Sequence, residues 1–202
     1  MRNALTKERL LFFMKELART APRRAAYRVY LVGGGTAVYL GWRRSSIDVD
    51  LFSEHEGVFR DIQGIKERLD MNIEFARPED FVPPLQGTAD RHVFIDTVGS
   101  ITFYHYDPYA QLLSKVVRGF QRDLDDAREF VRSGMVDPKR FRSLVAAIPG
   151  SDYAKYPSLS RGGVEKAVEI FLSQKELAPR TGRISNPPYA PHGDPGCEDP
   201  AV

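Results

Sequence analysis

The sequence predicts an α/β (α+β) fold: a mixed sheet of about five strands with flanking helices, followed by a helical C-terminal part. Three observations predict it. A strand-like run, Tyr27 to Val32, breaks at Gly33-Gly34-Gly35 and gives way to a short helical run from Ala37 to Trp42. The segment Ile47-Asp48-Val49-Asp50-Leu51 alternates strictly between aliphatic side chains and carboxylates, the period of a half-buried strand. From Asp107-Pro108 onward, apolar residues recur at helical spacing.

Each element has its own local reason. Leu10, Phe13, Met14 and Leu17 fall at i, i+3, i+4 and i+7 and predict an amphipathic helix, closed by Thr20-Ala21-Pro22. After the strand at 27–32, Thr36 is expected to open the next helix, its hydroxyl accepting from an unpaired amide of the first turn. Phe59, Ile62, Ile65 and Leu69 suit a helix. Ile73 and Phe75 then oppose Asn72, Glu74 and Ala76 in a third strand, with Glu74 facing away from the apolar side. Pro78, Pro83, Pro84 and Gly87 make 77–91 a long loop. Val93-Phe94-Ile95 and Ile101 to Tyr104 flank Gly99-Ser100 and read as a hairpin.

Asp107 followed by Pro108 is a helix start, a capping carboxylate with proline at the first helical position. Tyr109, Leu112, Leu113, Val116, Val117 and Phe120 carry the apolar stripe. Further helices are expected at 124–132, at 138–148, and around Val164, Val168, Phe171 and Leu172. Residues 1–107 thus read as a core with an N-terminal helix, and 108–177 as a helical extension packed on it. The Pro- and Gly-rich segment 178–202 reads as a tail, mobile or docked on a partner.

A chain of 202 residues with 42% hydrophobic and 28% charged residues can bury a full core, which excludes a wholly disordered, collagen-like or coiled-coil protein. The longest uncharged apolar stretch, Tyr30 to Trp42, is interrupted by glycines and too short to span a bilayer. Leu10 to Met14, bounded by Arg9 and Lys15, lacks the pattern of a signal peptide, so a cytoplasmic location and no membrane partner are expected. A single cysteine, Cys197, excludes an internal disulfide framework or a multi-cysteine zinc site. The net charge is only +2, yet residues 1–44 hold ten Lys or Arg against Glu8 and Glu16, a local excess of +8. That excess is either a solvated helix face or a surface that attracts phosphates.

The chemistry centres on Asp48 and Asp50. Residues two apart on a strand point the same way, so the two carboxylates repel unless a cation lies between them. Mg²⁺ suits such a pair, because it binds through a few carboxylates together with substrate phosphates. The alternative is an exposed edge strand with two solvated acids. Glu74, on the polar side of the next strand, brings a third carboxylate to the same cleft, and Asp96 in the hairpin is another acid that could complete the trio. Such a trio can bridge two metal ions for an in-line displacement. Gly33-Gly34-Gly35-Thr36 exposes backbone amides at a helix N-terminus, where phosphate can approach, or is simply a tight turn. A dinucleotide fingerprint would need glycine in place of Val38, and a P-loop would need a Gly-Lys-Ser/Thr ending that is missing. Gln111, Lys115, Arg118 and Arg122 repeat at i, i+4, i+7 and i+11 as one polar helical face. The histidines form no ligand pair at useful spacing.

In order, these pieces resemble the DNA polymerase beta-like nucleotidyltransferase superfamily: Gly34-Gly35-Thr36, a short helix, then Asp48-Val49-Asp50 eleven residues beyond Thr36, with Thr where Ser is more usual. Asn72-Ile73-Glu74-Phe75, Phe103 to Asp107, Leu113 to Arg118 and Arg122 to Asp126 resemble an uncharacterised bacterial branch related to abortive-infection toxins of type IV toxin–antitoxin pairs. The resemblance implies a nucleotidyltransferase-like sheet, a nucleoside triphosphate as substrate, and Mg²⁺ or Mn²⁺ held by Asp48 and Asp50, with Glu74 as third ligand or as base for the incoming hydroxyl. It implies phosphate contacts from Gly34, Gly35 and Thr36, and Lys115 with Asp123 or Asp126 reaching the site from the helical part; Arg44 and, on its polar helical face, Arg118 are expected to meet phosphate beside them, or Arg118 is simply solvated. The implied reaction moves a nucleoside monophosphate to a hydroxyl on RNA, protein or a small molecule, with an antitoxin as further partner. Two other readings stand beside it: a degenerate module that binds without catalysis, and a sugar-nucleotide glycosyltransferase, which gives no role to the glycine turn or to Glu74.

Overall fold

The computed structural model describes residues 3–177; the expected tail at 178–202, Cys197 included, lies outside the described residues. Helix α1 (Lys7–Thr20) starts where the Thr6 hydroxyl accepts the Arg9 amide, and it buries Leu10, Phe13, Met14 and Leu17 as its periodicity requires. Strand β1 (Tyr27–Val32) runs directly into helix α2 (Gly33–Tyr39), and β2 (Asp48–Phe52) returns antiparallel to β1, with Val32 opposite Asp50. A 3₁₀ turn at Glu56–Phe59 and helix α3 (Ile62–Arg68) lead to β3 (Asn72–Phe75), parallel to β2. The hairpin of β4 (Val93–Val98) and β5 (Ile101–His105) completes the sheet, β5 lying parallel to β1. The strand order is β3-β2-β1-β5-β4, which leaves the four-residue β3 as one edge.

Strand alternation divides the sheet. Val29, Leu31, Val49, Leu51, Ile73, Ile101 and Phe103 face α1, α2 and α3 and form one buried cluster with Leu10, Phe13, Met14 and Leu17. Removing a leucine or phenylalanine side chain of this kind from water contributes about 1.5–3 kcal/mol each. The opposite face carries Tyr30, Val32, Asp48, Asp50, Asn72 and Glu74. Helices α4 (Pro108–Arg118), α5 (Gln121–Arg132), α6 (Pro138–Ala146) and α7 (Arg161–Leu172) build a second cluster around Leu112, Leu113, Phe130, Phe141, Val168 and Phe171. Asp107 and Asp137 cap α4 and α6 through the amides of Tyr109 and Arg140, each with proline at the next position. No helix among the described residues is long and apolar enough to cross a membrane.

Several local expectations need correction. The helix after the triple glycine begins at Gly33 rather than at Thr36. Gly33 takes a left-handed φ of 54°, so the chain turns at once, and Thr36 sits a full helical turn further on, fully buried. Its hydroxyl donates to the Leu31 carbonyl and meets His105 Nδ1. Ile47, expected on the buried side of β2, precedes the strand and is 67% exposed. Helix α4 stops at Gly119, φ 68°, so Arg122 belongs to α5 and does not extend the polar face of Lys115 and Arg118. The 77–91 segment is not a featureless loop: it contains 3₁₀ turns at Pro78–Asp80 and Thr88–Arg91. It also puts Val82 and Leu85 into the helical cluster.

Burial makes the fold acid-sensitive at two imidazoles. Desolvation holds His105 down to about 3 and, reinforced by Arg28 and Arg91, His92 down to about 4, against an ordinary 6.5. Between those values and 6.5 the unfolded chain binds a proton that the folded chain refuses. Their contribution is therefore intact above pH 6.5 and falls with decreasing pH, at about 1.4 kcal/mol per pH unit per group. Urea unfolding of His105→Phe is expected to show a shallower loss of stability below pH 6.5 than the unsubstituted protein; parallel curves would refute this.

Candidate active site

The acids meet at the end of the sheet where β1 becomes α2. Asp48 and Asp50 project from one face of β2, and Glu74 stands on β3 directly across from Asp50. Asn72, across from Asp48, donates its side-chain amide to the Asp48 carboxylate and reaches Glu74 at 3.5 Å. Asp96 is excluded from the group. A bulge between Phe94 and Asp96 pairs it with Phe103, whose side chain lies in the helix-facing core, and β4 is the far edge of the sheet. Of the two acids left open, Glu74 shares the cleft with the Asp48–Asp50 pair and Asp96 does not.

Desolvation together with Asp48 and Glu74 pushes the Asp50 carboxyl up to about 6; the Gly34 amide, which donates to it, and Lys115 oppose that shift without cancelling it. The site is therefore short of positive charge. Among the described residues, however, no three His, Cys, Asp or Glu side chains close on a point that would enclose a metal ion.

The glycines divide their labour. A Cβ on Gly33 would lie 2.6 Å from Asp50 Oδ2, in a backbone conformation that L-residues avoid. A Cβ on Gly34 would lie 2.3 Å from the Ser46 hydroxyl. A Cβ on Gly35 would meet only Asp50 O at 3.8 Å and Leu31 Cβ at 4.0 Å, ordinary contacts between helix and sheet. Gly33 and Gly34 line the cleft, whereas Gly35 and Thr36 pack behind it. Gly33→Ala is expected to cost about 1–3 kcal/mol and to displace Asp50, while Gly35→Ala leaves the melting temperature near that of the parent. Equal effects of the two substitutions in thermal unfolding would contradict this division.

The helical part supplies the cations. Lys115, buried on α4, donates to Asp126 Oδ2 at 2.6 Å and to Asp123 Oδ1 at 3.3 Å. Asp126 also receives Arg43 Nε at 2.6 Å, and Arg118 Nε lies 3.3 Å from Asp123. Both candidate acids of α5 thus hold Lys115, but only Asp123 lines the cleft with Asp48 and Asp50. Arg44, expected at the phosphates, opens instead onto a neighbouring cavity, because the turn after α2 points Arg43 inward. Gly33, expected only as part of the glycine turn, donates its amide to Gln111 Oε1 at 2.9 Å; the residues sequence reasoning passed over are Asn72, Arg43, Phe81 and Phe120. Asn72 and Glu74 share a strand parity, which was the one readable signal for the former. Arg118 lies 5.8 Å from the centroids of both Phe81 and Phe120, each ring about half or more exposed, and this trio borders the mouth of the cleft.

Residues 8–157 match the protein family described as "Nucleotidyltransferase of unknown function (DUF6036)". The chain belongs to this family. No curated protein and no solved structure matches it. In this family member the two aspartates of β2, the glycine bend and the cations of α4 lie around one cleft of about 410 Å³ that continues into a second of about 270 Å³.

Proposed function

We propose that the protein is a metal-dependent nucleotidyltransferase that moves a nucleoside monophosphate from a nucleoside triphosphate to a hydroxyl acceptor, releasing pyrophosphate. The observation that carries this reading is the crowding of Asp48 and Glu74 on Asp50, which leaves a half-buried carboxyl raised to about 6 beside two close-approach glycines. A donor set of three carboxylates is hard-oxygen chemistry and fits Mg²⁺ or Mn²⁺, with Asp48, Asp50 and Glu74 as the ligands. Such an ion would complete its shell with water and substrate phosphate. When bound, the ion would neutralise the triphosphate and lower the pKa of an incoming hydroxyl.

The chain's own groups supply the rest. Lys115, oriented by Asp126 and Asp123, and Arg118 at the mouth of the cleft would meet phosphate oxygens. The bend at Gly33 and Gly34 lets the phosphates approach the backbone. Phe81 and Phe120 offer ring faces for a base, and Glu74, at the open edge, is placed to take a proton from the acceptor hydroxyl. The reading extends, on the resemblance to abortive-infection toxins, to a toxin component restrained by an antitoxin partner.

One observation favours a second reading, a nucleotide-binding module without catalysis: Asp48 is engaged by Asn72 and Asp50 by the Gly34 amide. The sugar-nucleotide reading gains nothing, since it uses neither Glu74 nor the glycine bend. Incubation with each α-labelled triphosphate, Mg²⁺ or Mn²⁺, and total RNA or cell protein separates these readings. Label transfer that disappears with EDTA and in Asp48→Ala/Asp50→Ala is the expected result. Transfer surviving the double substitution defeats the proposal, and metal-dependent triphosphate binding with no transfer leaves the module.

A further inference from the structure

Most of the basic excess in the first 44 residues is not spent at the acidic cleft. Arg43 goes there, Arg9 donates to the Leu69 carbonyl, and Lys7 sits over the Tyr39 ring. Lys15, Arg19, Arg23 and Arg24 instead gather at the opposite pole of the sheet, where they line a furrow of about 810 Å³ floored by the Gly99-Ser100 turn. No acidic side chain lines it. Arg19 pairs with Glu16, while Lys15, Arg23 and Arg24 make no side-chain hydrogen bond or ion pair among the described residues. These cations are not needed to complete the end of α1 either, since Arg60 donates to the Thr20 carbonyl and the Ala21 amide to Leu17 O.

We infer that this furrow binds the phosphate backbone of a polynucleotide, as an anchor separate from the acidic cleft. Three points select that ligand. The unpaired guanidinium forks of Arg23 and Arg24 and the Lys15 ammonium call for an anion, phosphate or carboxylate, and the next two features narrow it to a polynucleotide. Phe12, 54% exposed, shares a helical face with Lys15 and Arg19 at i, i+3 and i+7, and offers a ring for a base beside the charges. The furrow lies at the start of β1 on the α1 side of the sheet and the cleft at its end on the opposite face; the strand alone sets them about 17 Å apart at roughly 3.3 Å per residue, a separation that a polymer of several phosphates covers and a mononucleotide does not. The charge and the ring are properties of the surface itself, the span rests on nucleotide binding at the cleft as proposed above, and none of the three requires catalysis there.

The test titrates the full chain into labelled single-stranded RNA of about twenty nucleotides at salt from about 50 to 200 mM. In Lys15→Ala/Arg23→Ala/Arg24→Ala the slope of log affinity against log salt is expected to become shallower by about 2, with at least tenfold weaker binding at the lower salt. Lys15→Arg/Arg23→Lys/Arg24→Lys should restore the slope, and Asp48→Asn/Asp50→Asn should keep it whether or not the cleft is catalytic. An unchanged slope in the triple alanine variant overturns the inference. So does polyglutamate of matched charge competing as well as RNA, which would mark an acidic protein surface as the partner. All three side chains are exposed, and an unchanged melting temperature confirms that the variant is folded.

Discussion

Asp50→Asn is expected to lower nucleotide transfer by on the order of 10³-fold and, in the metal-free protein, to raise thermal stability at neutral pH. The two effects share one cause. The folded chain holds Asp50 at about 6, above its ordinary 3.8, chiefly through desolvation and then through Asp48 and Glu74. Between those values the folded state keeps a proton that the unfolded state releases. The contribution of this carboxyl is thus most favourable below pH 3.8 and is lost as pH rises through about 6. Asparagine removes the repulsion and keeps an acceptor for the Gly34 amide. Discounted for the part of the carboxyl that water reaches, the gain is about 2 kcal/mol, or a melting temperature higher by about 4–8 °C for a chain of this size. Mg²⁺ should raise the melting temperature of the unsubstituted protein and leave the variant nearly unmoved. A variant less stable than its parent at pH 7.5, or equally active, would refute the account.

The largest loss of stability is expected from Asp126→Ala. Asp126 is 2% exposed and takes both Lys115 and Arg43 at 2.6 Å. Its removal leaves two cations with little compensation inside the protein, which costs about 3–5 kcal/mol. Asp123 is more accessible and its contact with Lys115 is longer, at 3.3 Å, so Asp123→Ala should cost about 1 kcal/mol while Asp126 remains. Urea unfolding of the two variants checks the order, and its inversion would assign Asp123 the structural part. The same pair separates orientation from contact: Asp123 borders the cleft, whereas Asp126 acts there only through Lys115 and Arg43.

Much of this was legible in the sequence because it rests on local periodicity. The alternation of β2, the amphipathic stripe of α1 and the Asp–Pro helix starts depend on nearest neighbours, and each element appears where its pattern places it, apart from Ile47 at the head of β2. The five-stranded mixed sheet follows from those patterns. What was not legible depends on contacts far apart in sequence or on single-residue geometry. Thr36 looked like a cap because its hydroxyl follows three glycines, but the left-handed φ of Gly33 turned the chain earlier and carried Thr36 into the core. Arg44 and Arg43 are adjacent, and only the direction of the turn after α2 decides which faces the acids. Asp96 had the right chemistry, but a one-residue bulge put it on the other side of the sheet. Asp126 and Asp123 differ by less than one helical turn, so their division of labour is visible only once α4 is packed against α5.

The third acid stands on a strand of four residues bonded to the sheet along one side only. Asp48 and Asp50, by contrast, belong to a strand paired on both sides. Fraying of that edge would withdraw Glu74 while the aspartates stay in register, so under the proposed reaction metal binding by the aspartates and proton removal by Glu74 would rest on strands held by two neighbours and by one, respectively. Anything that lies along the free border of β3 would act on turnover without touching the glycine bend.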